Sequence, residues 1–283
     1  MSIGLVLEGG GSRGVYTAGV LKSLMVNNRY FPYVIGVSAG ACNASSYISK
    51  QVDRNKQATI DYVIHPEYLS IRNWMKRREL FGMDFIFDKL PNKLVPFDFQ
   101  TFHQAEEELV VGVTDCMTGE SIYYKKSKHG KDLLQILRAS SSLPLVAPAV
   151  QYDNRILMDG GISDPIPIKQ SIKDGNTKNV VILTRNRGYY KKPQSFNWYL
   201  RKKYQQYPGL LAAIEKRHKV YNETLQFLFE EEKKGNVFIV CPYEKLQVGR
   251  VEKNQRKLLD LYNQGCKDMN NRLDDLEQFI AAV

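Results

Sequence analysis

The sequence lacks a long apolar run and contains few cysteines. No stretch of its 283 residues approaches the roughly 18–20 apolar residues of a membrane-spanning helix. The apolar start, Ile3 to Leu7, is too short for a signal peptide and continues directly into glycines. The four cysteines are scattered, without the spacing of zinc ligands: Cys42, Cys116, Cys241 and Cys266. We therefore expect a cytoplasmic chain whose cysteines are reduced and mostly buried.

Acidic residues are in deficit, and one long segment has none. The formal net charge is +10, which favours an anionic partner. Between Arg185 and Ile214 there are seven basic residues, no acidic ones and several interleaved aromatics. A solvated helical face is the first interpretation of this segment, and peripheral contact with an anionic membrane is the second. Single-stranded nucleic acid is a distant third, because no nucleic-acid motif accompanies the segment, so no specific nucleic acid is expected.

The first conspicuous pattern is a strand, a glycine-rich loop and a helix. Ile3 to Leu7 is predicted to be a buried parallel strand, and Val15 to Met25 an amphipathic helix. The loop between them also fits the G-x-G-x-x-G of dinucleotide-binding sites, which usually need an acidic residue about 20 positions later. No Asp or Glu occurs between Glu8 and Asp53. A backbone cradle for an oxyanion therefore explains the loop better than a cofactor site.

The second pattern is Gly36-Val37-Ser38-Ala39-Gly40, which follows a short apolar strand and opens into a small-residue helix. G-x-S-x-G in this context is typical of a nucleophile elbow, a strained turn that exposes the serine at a helix N-terminus. The alternative is a glycine-rich turn whose serine only caps the helix. Both glycine-dependent turns are expected at the same edge of one sheet, which favours a catalytic interpretation.

A serine nucleophile needs a base, and two candidates arise. Asp159 follows the short strand Ile156 to Met158 and precedes two glycines, a position that suits the functional edge of a sheet. The order Ser38, Asp159, His218 would also fit a hydrolase triad. However, His218 lies within a charged cluster of a long predicted helix, and none of His65, His103 and His129 lies in a strand-end turn. A Ser38–Asp159 dyad is the more economical assignment.

The remaining chain is predicted to alternate strands and helices without an internal repeat or a linker. Asp53 to Ile64 and Val251 to Ala282 are each predicted to be one helix, the latter packed on the body. Leu69 to Phe99 mixes basic and apolar residues irregularly. We interpret it as a buried excursion or, alternatively, as a lid or acyl-chain groove over the site.

Taken together, the motifs Gly9-Gly10-Gly11-Ser12-Arg13-Gly14, Gly36-Val37-Ser38-Ala39-Gly40 and Asp159-Gly160-Gly161 resemble those of the patatin-like phospholipase family. The resemblance implies an α/β fold: a three-layer α/β/α sandwich with a mainly parallel sheet. It implies a single domain over residues 1–283, with the motifs in about 1–185 and a helical C-terminal part in about 186–283. Glu8 and Asp164 depart from the family's usual Asp and Asn.

The same resemblance assigns the site. Ser38 would be the nucleophile and Asp159 the base, with an oxyanion hole formed by backbone N–H groups of Gly10 and Gly11 and supported by Arg13. The supporting glycines are Gly9, Gly14, Gly36, Gly40, Gly160 and Gly161. No metal or cofactor is implied. The expected activity is hydrolysis of lipid acyl esters, of the phospholipase A or lysophospholipase type, at or near the inner face of the membrane. The alternatives are a carboxylesterase or thioesterase for soluble substrates, and a non-catalytic lipid-binding protein.

Overall fold

The computed structural model describes residues 2–70, 79–193 and 198–282. Its centre is an eight-stranded mixed sheet in the order β5-β6-β3-β2-β1-β7-β8, with β4 also paired to β3. Five strands form a parallel unit: β1 (Ser2–Leu7), β2 (Tyr33–Val37), β3 (Glu108–Asp115), β7 (Asn176–Ile182) and β8 (Val237–Val240). These strands are almost entirely buried, as expected of a sheet covered on both faces.

The other three strands form an antiparallel end of the sheet: β4 (Ser121–Lys125), β5 (Val150–Tyr152) and β6 (Arg155–Asp159). Strand β3 pairs with β2 along Glu108 to Gly112 and with β6 along Val113 to Asp115. Strand β4 pairs with the opposite edge of β3, so β2 and β6 lie end to end along the same edge of β3. They run in opposite directions, so their carboxyl ends meet head to head.

Helices cover both faces, which confirms the predicted three-layer fold. They are α1 (Gly14–Val26), α2 (Ala39–Ile48), α3 (Arg54–Lys56), α4 (Phe99–Gln104), α5 (Lys126–His129), α6 (Leu133–Ser140), α7 (Ile168–Lys173), α8 (Trp198–Lys203), α9 (Pro208–Lys233), α10 (Gln255–Asn270) and α11 (Leu273–Ala281). Successive strand residues point to opposite faces. Leu5 and Leu7 accordingly join the core beneath α1 and α2, whereas Val6 joins the core beneath α9.

Three predicted elements differ in detail. The segment predicted as one helix from Asp53 to Ile64 is α3 followed by a π-helical turn, Gln57–Asp61. Within the segment predicted to be irregular, Phe85–Leu94 is π-helical around an internal Pro91. Residues 71–78, which include its basic cluster, lie outside the described residues.

The terminal helix predicted from Val251 to Ala282 is two helices that divide at Asn271 and Arg272. The Arg272 guanidinium donates to the carbonyl of Ile239 and lies over the ring of Phe238. Asp274 and Asp275 lie in the first turn of α11, where they favour a new helix start. This tertiary anchor and the two carboxylates explain the break.

Helix α10 packs closely along α1, as predicted for a terminal helix that covers the body. A Cβ atom on Gly265 would lie 2.3 Å from the backbone oxygen of Tyr16, and one on Gly19 would lie 2.0 Å from that of Tyr262. The buried Tyr16 hydroxyl donates to Asp268 at 2.9 Å. All four cysteines are free, but only Cys116 is fully buried. Among the described residues, no helix has the length and apolar character to cross a membrane.

Candidate active site

Ser38 lies on the turn between β2 and α2. Its backbone has φ 54° and ψ −128°, a conformation that is strained for a residue with a side chain. The flanking glycines have no room for a Cβ atom, which would lie 2.8 Å from the backbone nitrogen of Ala41 at Gly36 and 2.6 Å from the carbonyl oxygen of Leu7 at Gly40. The turn therefore has the backbone geometry of the predicted elbow, but Ser38 is buried, at 7% exposure, where the pattern predicted an exposed serine.

The elbow is tied to the neighbouring strand by a serine that the sequence motifs did not single out. The Ser38 amide donates to Ser140 Oγ at 2.8 Å, and this hydroxyl donates to the carbonyl of Gly112 at 2.7 Å. Both bonds are buried. Ser140 therefore links the turn to β3, and it stands at the end of α6, first in the run Ser140-Ser141-Ser142.

Asp159 lies at the head-to-head junction of β2 and β6 and is 2% exposed. Its Oδ1 accepts a hydrogen bond from the Gly161 amide at 2.8 Å, and its own amide donates to Ser142. Its Oδ2 is buried and makes no hydrogen bond of standard geometry with a described residue. Ser38 and Asp159 line the same pocket, so the structure brings together the two residues of the predicted dyad.

Burial raises the pKa of Asp159 above its ordinary value, because a desolvated carboxylate is less stable than its neutral form. The Ser38 side chain, the Arg217 guanidinium and the Arg250 guanidinium act in the opposite direction. Burial is the largest influence. The carboxylate is consequently a stronger base than an exposed aspartate, which suits proton abstraction.

The glycine loop lies directly against the elbow. A Cβ atom on Gly9 would contact the Cβ of Ser38 at 3.3 Å, and one on Gly14 would clash with that of Ala39 at 2.6 Å. Gly11 has φ +58°, which favours glycine. The flanking amides of Gly9 and Ser12 donate to backbone carbonyls. Those of Gly10 and Gly11 have no acceptor among the described residues, and both glycines line the pocket.

The two charged residues of the loop are buried. Arg13 is 7% exposed, and its Nε has no hydrogen-bond partner among the described residues. Burial and the neighbouring Arg185 lower its pKa to about 10. Glu8 accepts from the Tyr221 hydroxyl at 2.9 Å and from the Thr184 amide. Both Glu8 oxygens are thus engaged, one with α9 and the other with the segment that follows β7.

No histidine lines the described part of the pocket around Ser38. His218 Nδ1 lies 3.0 Å from the carbonyl oxygen of Glu215 within its own helix, whereas the preceding Arg217 turns inward and donates to the carbonyl of Gly161. His65 stacks on Phe85, and His129 contacts the Tyr152 hydroxyl. The described residues also contain no group of three or more His, Cys, Asp or Glu side chains placed to hold a metal.

Ser38 lies between two cavities of opposite character. The apolar cavity is lined mainly by hydrophobic side chains, including Val15, Ala58, Phe81, Met83, Ile86, Phe87, Leu90, Leu137, Val146 and Leu258. Five of these come from the segment predicted as a buried excursion or an acyl-chain groove, and they support the groove. The second cavity, here called the basic pocket, is lined by Arg13, Arg185, Lys191, Arg217 and Arg250.

Sequence reasoning missed most of the basic pocket. Arg185 and Lys191 belong to the basic segment whose first interpretation was a solvated face, and Arg217 and Arg250 lie in no motif. Other members of the segment do lie on the surface, where Arg187 pairs with Glu232 and Arg201 with Glu215. The solvated-face interpretation is therefore correct for those residues and wrong for Arg185 and Lys191.

A family model described as patatin-like phospholipase matches residues 5–172, which contain both glycine-rich turns and Asp159. The match covers more than half of the chain. The chain belongs to the patatin-like phospholipase family. This confirms the resemblance, and it makes the chain an ester-bond hydrolase of the lipid acyl hydrolase type. A second model, a domain of unknown function (DUF6363), matches residues 207–281.

The chain is also similar to individual proteins of a bacterium, a virus and Candida albicans. The uncharacterized protein YjjU of Escherichia coli (strain K12) is 27% identical over 255 residues, which cover 86% of this chain and 69% of YjjU. The probable lipid hydrolase 463L of Invertebrate iridescent virus 6 is 26% identical over 62% of this chain and 65% of its own length. Lysophospholipase NTE1 of Candida albicans is 25% identical over 64% of this chain but only 13% of its own length.

Among solved structures, VipD from Legionella pneumophila matches with a TM-score of 0.50. The match covers 97% of this chain and 67% of VipD, with 13% sequence identity. This likeness shows the fold alone.

Proposed function

We propose that the chain hydrolyses lipid acyl esters of the phospholipase A or lysophospholipase type, with Ser38 as nucleophile and Asp159 as general base. One observation carries this proposal: a serine on a strained turn shares a pocket with a buried carboxylate that has an uncommitted oxygen. Glu8, the other carboxylate in the pocket, has both oxygens engaged.

In the first step, Ser38 Oγ attacks the acyl carbon while its proton passes to Asp159. The carbonyl electron pair moves to the oxygen, which accepts hydrogen bonds from the uncommitted amides of Gly10 and Gly11, with the Arg13 cation nearby. Each such donor contributes about 3 kcal/mol to transition-state stabilisation in comparable sites. When the tetrahedral intermediate collapses, the bond to the alcohol oxygen breaks, and Asp159 returns the proton to the departing alcohol.

The second step hydrolyses the acyl-enzyme and regenerates free Ser38. Water attacks the acyl group on Ser38 and gives a proton to Asp159. Collapse then breaks the bond to Ser38 Oγ, which recovers the proton, and a fatty acid is released. The apolar cavity suits the acyl chain, because its hydrophobic walls extend away from Ser38.

Two alternative functions predict different experimental results. A carboxylesterase or thioesterase would use the same dyad on soluble acyl substrates, and its turnover would not rise on lipid vesicles. A non-catalytic lipid-binding protein would keep the apolar cavity but would not react at Ser38. The strained turn favours catalysis over binding alone, since such strain persists mainly where function requires it.

The deciding experiment is labelling with a fluorophosphonate probe, followed by mass mapping of the modified peptide. We expect the label on Ser38 in the wild-type chain and none in Ser38→Ala. Ser38→Ala should lower ester hydrolysis by at least about a thousandfold, and Asp159→Asn by at least about a hundredfold.

The matched control is His218→Ala, which changes the histidine of the alternative triad. His218 contacts its own helix and lines neither cavity, so labelling and hydrolysis should stay at wild-type levels. A large loss in His218→Ala would replace the dyad with a triad, and an unlabelled but folded wild-type protein would favour the non-catalytic alternative.

A further inference from the structure

The basic pocket concentrates more positive charge beside Ser38 than ester hydrolysis requires. Its five cations, Arg13, Arg185, Lys191, Arg217 and Arg250, face only two carboxylates, Glu8 and Asp159. The oxyanion of the proposed mechanism needs amide donors and at most one nearby cation. The other cations therefore need a separate explanation.

None of these five cations forms an ion pair with a carboxylate among the described residues. Exposed cations of the same region do find partners, as in the pairs Arg187–Glu232 and Arg201–Glu215. Arg13 is buried and the other four are partly buried. Clustering unpaired cations in such positions is costly, because they repel one another and lose part of their hydration. Burial, Arg217 and Arg250 together lower the pKa of Lys191 to about 7. The pocket therefore has an uncompensated affinity for anions.

The position of the pocket indicates which anion it would take. Both cavities are lined by Gly11, Ser38 and Leu143, so a molecule whose ester lies at Ser38 can extend into both. An acyl chain suits the apolar side, and an anionic group a few bonds from the ester suits the basic side. Glycerophospholipids have this layout, with a phosphate close to the acyl ester. Arginine is well suited to phosphate, and the buried Arg13 Nε is an uncommitted donor.

The pocket offers little to a cationic headgroup. Quaternary ammonium groups are bound by aromatic faces or carboxylates. Two tyrosines line the pocket, but the Arg185 guanidinium lies 4.4 Å from the ring centre of Tyr189 and Lys191 Nζ lies 5.1 Å from that of Tyr221. Both rings are thus already covered by a cation, and the Glu8 oxygens are engaged. The other carboxylate of the pocket, Asp159, is the proposed base beside Ser38.

Building on the proposed function, we propose that the basic pocket binds the phosphate of the substrate's headgroup and selects lipids whose headgroup is net anionic. Neutral acylglycerols lack the phosphate, and choline lipids add a cation that the pocket repels. Lys191 and the arginines around it are the specificity-determining residues of this site.

The test compares three substrates with the same single acyl chain: lysophosphatidylglycerol, lysophosphatidylcholine and monoacylglycerol. All are used below their critical micelle concentrations, so that attraction to a charged surface does not contribute. We expect kcat/KM to be highest for lysophosphatidylglycerol, by about tenfold or more over monoacylglycerol, as charged hydrogen bonds permit. Equal values for the three substrates would overturn the proposal.

Lys191→Met should remove most of this preference, and Lys191→Arg should retain it. The matched control is Lys192→Met, which removes the same charge from an exposed neighbour and should leave the preference unchanged. Fluorophosphonate labelling of each variant verifies that Ser38 and the fold are intact. An equal loss of preference in Lys191→Met and Lys192→Met would contradict a built pocket.

A binding measurement separates this proposal from the proposed function. Calorimetry on the Ser38→Ala protein should detect binding of glycerol 3-phosphate that weakens about tenfold or more in a protein that also carries Lys191→Met. If the wild-type chain hydrolyses no ester but this binding is found, the function fails and the anion site stands. If inorganic phosphate binds as tightly as glycerol 3-phosphate, the pocket is a free-phosphate site and the headgroup assignment is wrong.

Discussion

At the scale of single residues, burial and nearby charges set the pKa of the proposed base, Asp159. Burial raises the pKa of Asp159, whereas Ser38, Arg217 and Arg250 lower it. Arg217 is held by its bond to the Gly161 carbonyl, immediately beside the Asp159 turn. The guanidinium thus adjusts the basicity of a carboxylate that belongs to a different element.

This arrangement predicts a pH dependence. A general base acts in its deprotonated form, so kcat/KM should fall as the pH drops through the pKa of Asp159. Arg217→Gln removes a charge that lowers this pKa, and the acidic limb of the profile should therefore move to higher pH. A short-chain neutral ester is the substrate, so that headgroup binding does not enter.

Lys216→Gln is the matched control, because it removes a charge from the exposed adjacent residue. Its acidic limb should coincide with that of the wild type. A shift of the Arg217→Gln profile toward lower pH, or equal shifts in both variants, would contradict the assigned base.

At the scale of elements, two close approaches of backbone organise the molecule. At the junction of β2 and β6, a Cβ atom on Gly160 would lie 2.1 Å from the carbonyl oxygen of Gly112. Between α1 and α10, Gly19 and Gly265 allow each helix to touch the backbone of the other. The second contact fastens the C-terminal region to the helix that follows the glycine loop.

The helix contact predicts an unusual response to alanine. In an ordinary helix interior, Gly→Ala stabilises by about 1 kcal/mol. Gly265→Ala would instead drive a Cβ atom to 2.3 Å from the Tyr16 carbonyl oxygen, and we expect a net loss of about 1–3 kcal/mol in the free energy of unfolding, as overpacking produces. Urea unfolding measures this.

Asn263→Ala, on the exposed side of the same helix, serves as the control and should be neutral or slightly stabilising. If Gly265→Ala were as stable as the wild type, α1 and α10 would not be in the close contact described.

At the scale of the whole molecule, distant parts of the chain build one site. Residues 5–172 carry the family motifs, but Arg217, Tyr221 and Arg250 enter the basic pocket from beyond them. All three lie within residues 207–281, the range matched by the domain of unknown function. The C-terminal region therefore contributes side chains to the lining of the candidate site.

The net charge of +10 also predicts that the chain binds to anionic membranes. Exposed aromatic side chains accompany the basic surface, with Trp198 70% exposed, and such residues suit an interfacial position. The Ser38→Ala protein should sediment with anionic vesicles, and the bound fraction should fall as salt rises from about 0.05 M to about 0.5 M.

Zwitterionic vesicles of the same size are the control and should bind little. Binding that changes with neither the salt concentration nor the lipid charge would show that membrane binding does not depend on the basic surface.

The sequence alone determined the local features of this protein. Ser38 and its flanking glycines specify an elbow because the requirement is steric and involves only neighbouring atoms, and Gly9 to Gly14 specify a loop for the same reason. The buried strands were also predictable from their continuous apolar runs. The C-terminal helices were less predictable, because the break between α10 and α11 at Arg272 depends on a hydrogen bond to the carbonyl of Ile239.

Only the tertiary structure decided which residues meet. Asp159 reaches Ser38 because β6 runs antiparallel to β3 and ends where β2 ends, and strand direction is set by long-range pairing that local pattern does not encode. Likewise, Lys191, Arg217 and Arg250 lie in surface-like sequence yet converge on one pocket. Their convergence depends on how α9 and the segment after β8 pack against the glycine loop, which is a property of the folded chain as a whole.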